Sequence, residues 1–68
     1  MNQDQIEGKW KQLTGSAQAY WGKLTNNDMQ TVTGRKDQVV GLIQERYGIA
    51  REEAEKQFDA WSASLKER

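Results

Sequence analysis

The amino-acid sequence predicts an all-α protein, a small bundle of four to five helices making one domain over residues 1–68. Three observations carry that expectation. The chain contains no proline, so helix propagation is nowhere blocked by a missing backbone N–H. Apolar side chains recur three and four positions apart through most of its length, the spacing of a single helix face. Three Trp, two Tyr and one Phe offset a mean hydropathy of −1.02, because chains this polar and poor in large aromatics stay disordered.

The first helix is expected over residues 3–24. Ile6, Trp10, Leu13, Ala17, Tyr20, Trp21 and Leu24 fall in one stripe about 100° wide at about 100° per residue. Trp10 and Trp21 point within about 20° of one another and both face the core. The run Trp10-Lys11-Gln12-Leu13-Thr14 is echoed by Trp21-Gly22-Lys23-Leu24-Thr25, two similar stretches of the same stripe. Gly8, Gly15 and Gly22 lie on the opposite face, each costing about 1 kcal/mol relative to Ala. They admit a partner backbone or a helix that melts and reforms; the simpler reading is tolerated glycine on a solvated face.

Thr25-Asn26-Asn27-Asp28 then punctuates the chain, with Thr25 or Asn26 as the N-cap of a short helix that carries Met29 and Val32 inward. Thr31-Val32-Thr33-Gly34 predicts a break near Gly34, although Met29, Val32, Val39, Ile43 and Tyr47 would stay in phase through a continuous helix. A third helix over about residues 35–47 presents Val39, Val40, Ile43 and Tyr47 on one side, and Gly48 closes it in the left-handed conformation. The fourth helix follows from Ile49, with Ala50, Ala54, Phe58, Trp61 and Leu65 as its apolar stripe. Glu52 and Glu53 suit its positive end and Lys66 and Arg68 its negative end, with a modest Glu52–Lys56 pair between.

Composition narrows the chemistry. A chain of 68 residues buries roughly 60% of its unfolded surface, and with neither Cys nor His it has no disulfide, thiolate or usual zinc ligand to reinforce that thin core. Helix packing remains, with weak homodimerisation as a further support. Ten Lys/Arg balance ten Asp/Glu, against the basic excess of most nucleic-acid modules. Met1-Asn2-Gln3-Asp4-Gln5 lacks the plan of a signal peptide and no apolar run approaches the ~20 residues of a membrane span, so a cytoplasmic location is expected.

Ser16, Ser62 and Ser64 have no His to activate them, and Ser64 and Lys66, two positions apart, do not face each other on a helix. Glu55 and Asp59 share a face and could act as an acid/base pair or hold a cation, yet a calcium loop needs about six or more oxygens; solvated helical charge is the simpler reading. No catalytic residue, metal or cofactor is therefore expected. One binding candidate stands out. Gly34, Arg35 and Lys36 combine a glycine at a helix start with two cations, an arrangement able to take a nucleic-acid phosphate, with Lys9, Lys11 and Lys23 as auxiliary contacts. The competing reading is a helix start with two solvated cations. A third reading makes residues 3–24 a membrane-surface helix, but Lys9, Lys11 and Lys23 beside Asp4 and Glu7 attract anionic lipid weakly.

The sequence also resembles a known family. Trp10-Lys11-Gln12, Trp21-Gly22-Lys23-Leu24-Thr25, Asp28-Met29, Gly34-Arg35-Lys36-Asp37-Gln38-Val39-Val40-Gly41, Ile43-Gln44-Glu45-Arg46-Tyr47-Gly48, and Ala54-Glu55 followed by Trp61 occur in the order found in CsbD-like small bacterial stress proteins. The resemblance spans nearly the whole chain. It implies two α-hairpins packed roughly orthogonally, similar to sterile-alpha-motif-like folds, and expression under general stress. It supplies no enzyme activity, catalytic residues or cofactor, which leaves an unknown protein partner or client proteins as the implied target. Ile49-Ala50 departs from the polar capping residues more usual there, so the fourth helix is expected to start raggedly. The composition is also similar to that of hydrophilins, proteins thought to protect others during water loss.

Overall fold

The computed structural model describes residues 3–65. They form five helices, and no strand occurs among the described residues: α1 (Gln3–Gly8), α2 (Trp10–Tyr20), α3 (Asn26–Gln30), α4 (Lys36–Tyr47) and α5 (Arg51–Leu65). The small all-α bundle expected from the apolar spacing is thus the fold. Lys66 and Arg68, expected near the negative end of the last helix, lie outside the described residues.

The single helix expected over residues 3–24 is two helices and ends sooner. Gly8 is a poor helix former, and after it Lys9 leaves helical geometry (φ −113°, ψ 12°). The Lys9 N–H donates to the Ile6 carbonyl at 3.2 Å, and the Lys9 carbonyl accepts from Gln12 and Leu13 at 2.9 and 3.0 Å to start α2. Inward selection survives the break, with Ile6, Trp10, Ala17, Trp21 and Leu24 all buried. Tyr20 is the departure. Trp21 leaves the helix at ψ 89° and Leu24 closes a turn onto the Trp21 carbonyl at 3.0 Å. Trp21 enters the core while Tyr20 stays 48% exposed with its ring against the indole. Gly8, Gly15 and Gly22 are exposed and have open space where a Cβ would stand, so tolerance on a solvated face is the reading that holds.

Thr25 caps α3, as one of the two residues expected to. Its hydroxyl accepts from the Asp28 N–H and the Asp28 carboxylate accepts from the Thr25 N–H, both at 3.1 Å, a reciprocal capping box. The chain breaks where Gly34 predicts, at φ 92°, and Gln38 reaches back over the start of α4 to accept from the Thr33 N–H and hydroxyl, each at 2.9 Å. Gly48 ends α4 in the left-handed region (φ 63°, ψ 37°), its N–H donating to the Gln44 carbonyl.

Val39, Val40, Leu42 and Ile43 of α4 are all buried, an arc of about 160° at 100° per residue, and Leu42 widens the face expected from sequence. Helix α5 starts at Arg51 rather than Ile49, and Ala50 is exposed outside it. Its Ala54, Phe58 and Trp61 are buried, with Leu65 packed against them. The ion pair that closes along this helix is Arg51–Glu55 at 3.0 Å, in place of Glu52–Lys56: Arg51 stands before Glu55 on the same face and brings the longer, forked side chain. Helices α4 and α5 form the most closely packed pair, joined by three residues and running antiparallel, so that Lys36 at the start of α4 reaches Asp59 late in α5.

The core is built around indoles. Trp10 and Trp61 meet edge-on at 6.2 Å, and Trp61 meets Trp21 at 5.3 Å and Phe58 at 5.7 Å. Each indole N–H finds an acceptor: Met29 O at 3.2 Å for Trp10, Gln57 Oε1 at 3.0 Å for Trp21, Ser16 Oγ at 3.3 Å for Trp61. Burial of such rings is tolerable only with the N–H paired. No helix among the described residues is long and apolar enough to cross a membrane. The apolar stripe of residues 6–24 is occupied by the core.

Candidate functional site

The segment Gly34-Arg35-Lys36 links α3 to α4, and the structure separates its three residues. Gly34 is buried. At its position a Cβ would stand 2.9 Å from both Cβ and Cγ of Trp10, closer than packed carbon atoms approach, so the backbone here lies directly on the indole. Glycine serves close packing and a positive φ at once.

Arg35 points outward as the N-cap of α4, with a side chain 61% exposed. Its Nε lies 3.8 Å from Glu7 and 3.7 Å from Asp37, loose pairs in high dielectric. Lys36 is more committed. Its Nζ donates to Asp59 Oδ1 at 3.0 Å and stands 5.9 Å from the Phe58 ring centroid, a cation–π distance. Arg35, Lys36, Asp37, Arg51 and Glu55 line a cleft of about 360 Å³. Its three cations face two carboxylates within the cleft, with Glu7 and Asp59 beside them, so the local charge is close to balanced.

The auxiliary lysines do not converge on this cleft. Lys23 lies over Tyr47, its Nζ 5.2 Å from the ring centroid, and the Tyr47 hydroxyl accepts from the Lys23 N–H at 3.1 Å. Lys11 borders a separate cleft of about 470 Å³ between α2 and α3, floored by Trp10, Met29 and Val32. The two carboxylates read as a possible acid/base pair are each taken by a cation, Glu55 by Arg51 and Asp59 by Lys36.

The strongest electrostatic feature escaped the sequence. Asp28 is only 5% exposed and accepts both arms of the Arg46 fork, Nη2 to Oδ1 at 2.7 Å and Nε to Oδ2 at 3.1 Å. Paired hydrogen bonds of this kind are the stronger form of ion pair. Arg46 first, and then the Thr25 N–H, hold the Asp28 carboxyl down at about 2, against an ordinary 3.8, with partial desolvation opposing them. Asp28 in return raises the affinity of Arg46 for its proton. Half of this arrangement could be read in advance, because Thr25-x-x-Asp28 has capping-box spacing. Arg46, 18 residues further on, carries no such local signal.

The model of the CsbD-like family matches residues 4–56. UPF0337 protein YjbJ of Escherichia coli O6:H1 is 51% identical over 61 residues, covering 90% of this chain and 88% of that protein. A UPF0337 protein of Pectobacterium atrosepticum is 52% identical over 61 residues with the same coverage. One from Protochlamydia amoebophila is 47% identical over 58 residues, covering 85% of this chain and 88% of the relative.

Proposed function

This chain belongs to the CsbD-like family, and from that premise we propose that it is a non-enzymatic stress-response protein that acts by interaction with, or protection of, other proteins. One observation carries the reading: the exterior is rich in charge and its two signs balance. Charged residues make up 29% of the chain, ten of each sign, and the cations Arg35, Lys36, Arg46 and Arg51 are paired with carboxylates of the same molecule. With both signs interspersed and no large single-sign field, such a surface favours neither an anionic nor a cationic partner, a combination suited to lying beside many different proteins. The test is recovery of a labile enzyme after drying and rehydration in its presence. Recovery above that given by an equal mass of albumin is expected; equal recovery overturns the protectant reading.

A second reading rests on Arg35. Its weakly held, outward guanidinium at the start of α4 is the part of Gly34-Arg35-Lys36 open to a nucleic-acid phosphate, although Gly34 itself is covered by Trp10. Binding of this kind weakens steeply with salt. Fluorescence anisotropy with labelled DNA and RNA at low ionic strength tests it: a salt-sensitive rise lost in Arg35→Ala supports a backbone contact, and a flat titration excludes it.

A further inference from the structure

The aromatic residues form a continuous path from the middle of the core to water. Trp10 touches Trp61 at 6.2 Å, Trp61 touches Trp21 at 5.3 Å, and Trp21 touches Tyr20 at 4.8 Å between ring centroids. Exposure changes sharply at the last step: Trp61 is 1% and Trp21 2% exposed, Trp10 7%, but Tyr20 48%. We propose that this ring path is an electron relay, in which Tyr20 reduces oxidised tryptophans of the core and brings the radical to the surface.

The direction follows from where protons can go. A one-electron oxidant of the radical class removes an electron from an indole and leaves a radical cation. Deprotonation would stabilise it, but the three indole N–H groups face a backbone carbonyl, a side-chain amide oxygen and a hydroxyl oxygen. None of these is a base at neutral pH. The indole cation therefore keeps its proton and remains a strong oxidant. An electron passes from Trp21 to oxidised Trp61, and one from Tyr20 to oxidised Trp21. At half-exposed Tyr20 the phenol loses its proton to water, which makes that last transfer downhill and leaves a neutral tyrosyl radical. A thiol in solution, present outside a chain that has no Cys, restores the phenol by donating a hydrogen atom and becomes a thiyl radical. In sum, one electron leaves the thiol for the oxidant and one proton reaches the solvent.

Pulse radiolysis of the full chain with azide radical, which oxidises indoles selectively, tests the relay by transient absorption. The indole radical-cation signal should decay as the tyrosyl signal grows, at a rate independent of protein concentration. Tyr20→Phe should remove most of the tyrosyl growth and prolong the indole radical-cation signal, whereas Tyr47→Phe should leave both as in the parent. Circular dichroism of each variant checks that the bundle is intact, and Tyr20, lying outside the core, can be changed without opening it. Tyrosyl growth surviving in Tyr20→Phe, or a rate that scales with protein concentration, overturns the proposal.

Discussion

Gly34 and Trp10 are in direct contact, backbone on indole, with no room between them for a methyl group. The contact ties the linker before α4 to the first residue of α2. The Trp10 N–H adds a second tie to the Met29 carbonyl of α3. One ring therefore anchors three successive segments.

Gly34→Ala should destabilise the protein by about 2–4 kcal/mol, combining about 1–2 kcal/mol for a side chain at positive φ with the cost of overpacking. Gly48→Ala separates the two contributions. Gly48 also has positive φ but open space around it, so its loss should be about 1–2 kcal/mol. Urea unfolding followed by Trp fluorescence measures both; equal losses would show that the Trp10 contact costs nothing.

Gly15→Ala should have the opposite sign. Gly15 lies inside α2, and an added methyl meets nothing within 4 Å. A gain of about 0.5–1 kcal/mol is expected from helix propensity and a less flexible unfolded chain. A thermal melt that moves down instead would reveal a partner surface over that face.

Trp61→Ala should cost about 3–5 kcal/mol, the usual range for emptying a buried aromatic site. That is a large part of the total stability of a small domain, about 5–15 kcal/mol. Ser16→Ala removes only the acceptor of the Trp61 N–H and should cost about 1 kcal/mol. Denaturant midpoints of the two variants give the comparison directly.

Acid should unfold the protein through Asp28. Its carboxyl titrates at about 2 in the fold against an ordinary 3.8, so between these values the unfolded chain binds the extra proton. The stabilisation is present in full above about pH 4 and is lost as pH falls towards about 2. Asp28→Asn keeps a capping oxygen but not the charge. It should be less stable than the parent at pH 7 and show a shallower loss of stability below pH 4, measured by urea titration across pH. Parallel acid limbs in the two proteins would rule out this linkage.

Much of the fold was legible in the residues alone because the signals are local. Apolar spacing reports an angle around a helix's own axis, and it placed Trp10, Ala17, Trp21, Ala54, Phe58 and Trp61 inside without knowledge of what they meet. Gly48 and Thr25 are equally local, one able to take positive φ and the other to cap a free N–H. The Gly34-Arg35-Lys36 segment was legible only as a glycine beside two cations. That Gly34 is covered and that Lys36 is held by Asp59 depend on elements 23 or more residues away, and Arg35 is shared loosely between distant Glu7 and neighbouring Asp37.

What the sequence determined by itself was therefore the helical character, the choice of core tryptophans and the caps at Thr25 and Gly48, all set by interactions within a few residues. Only the tertiary structure decided that Lys9 breaks the first helix, that Tyr20 yields the core to Trp21, and that Asp28 meets Arg46. The physical reason is directional. Spacing specifies which way a side chain points from its own helix, whereas pairing depends on where the intervening turns send the next helix, and that is settled by the packing of the whole core.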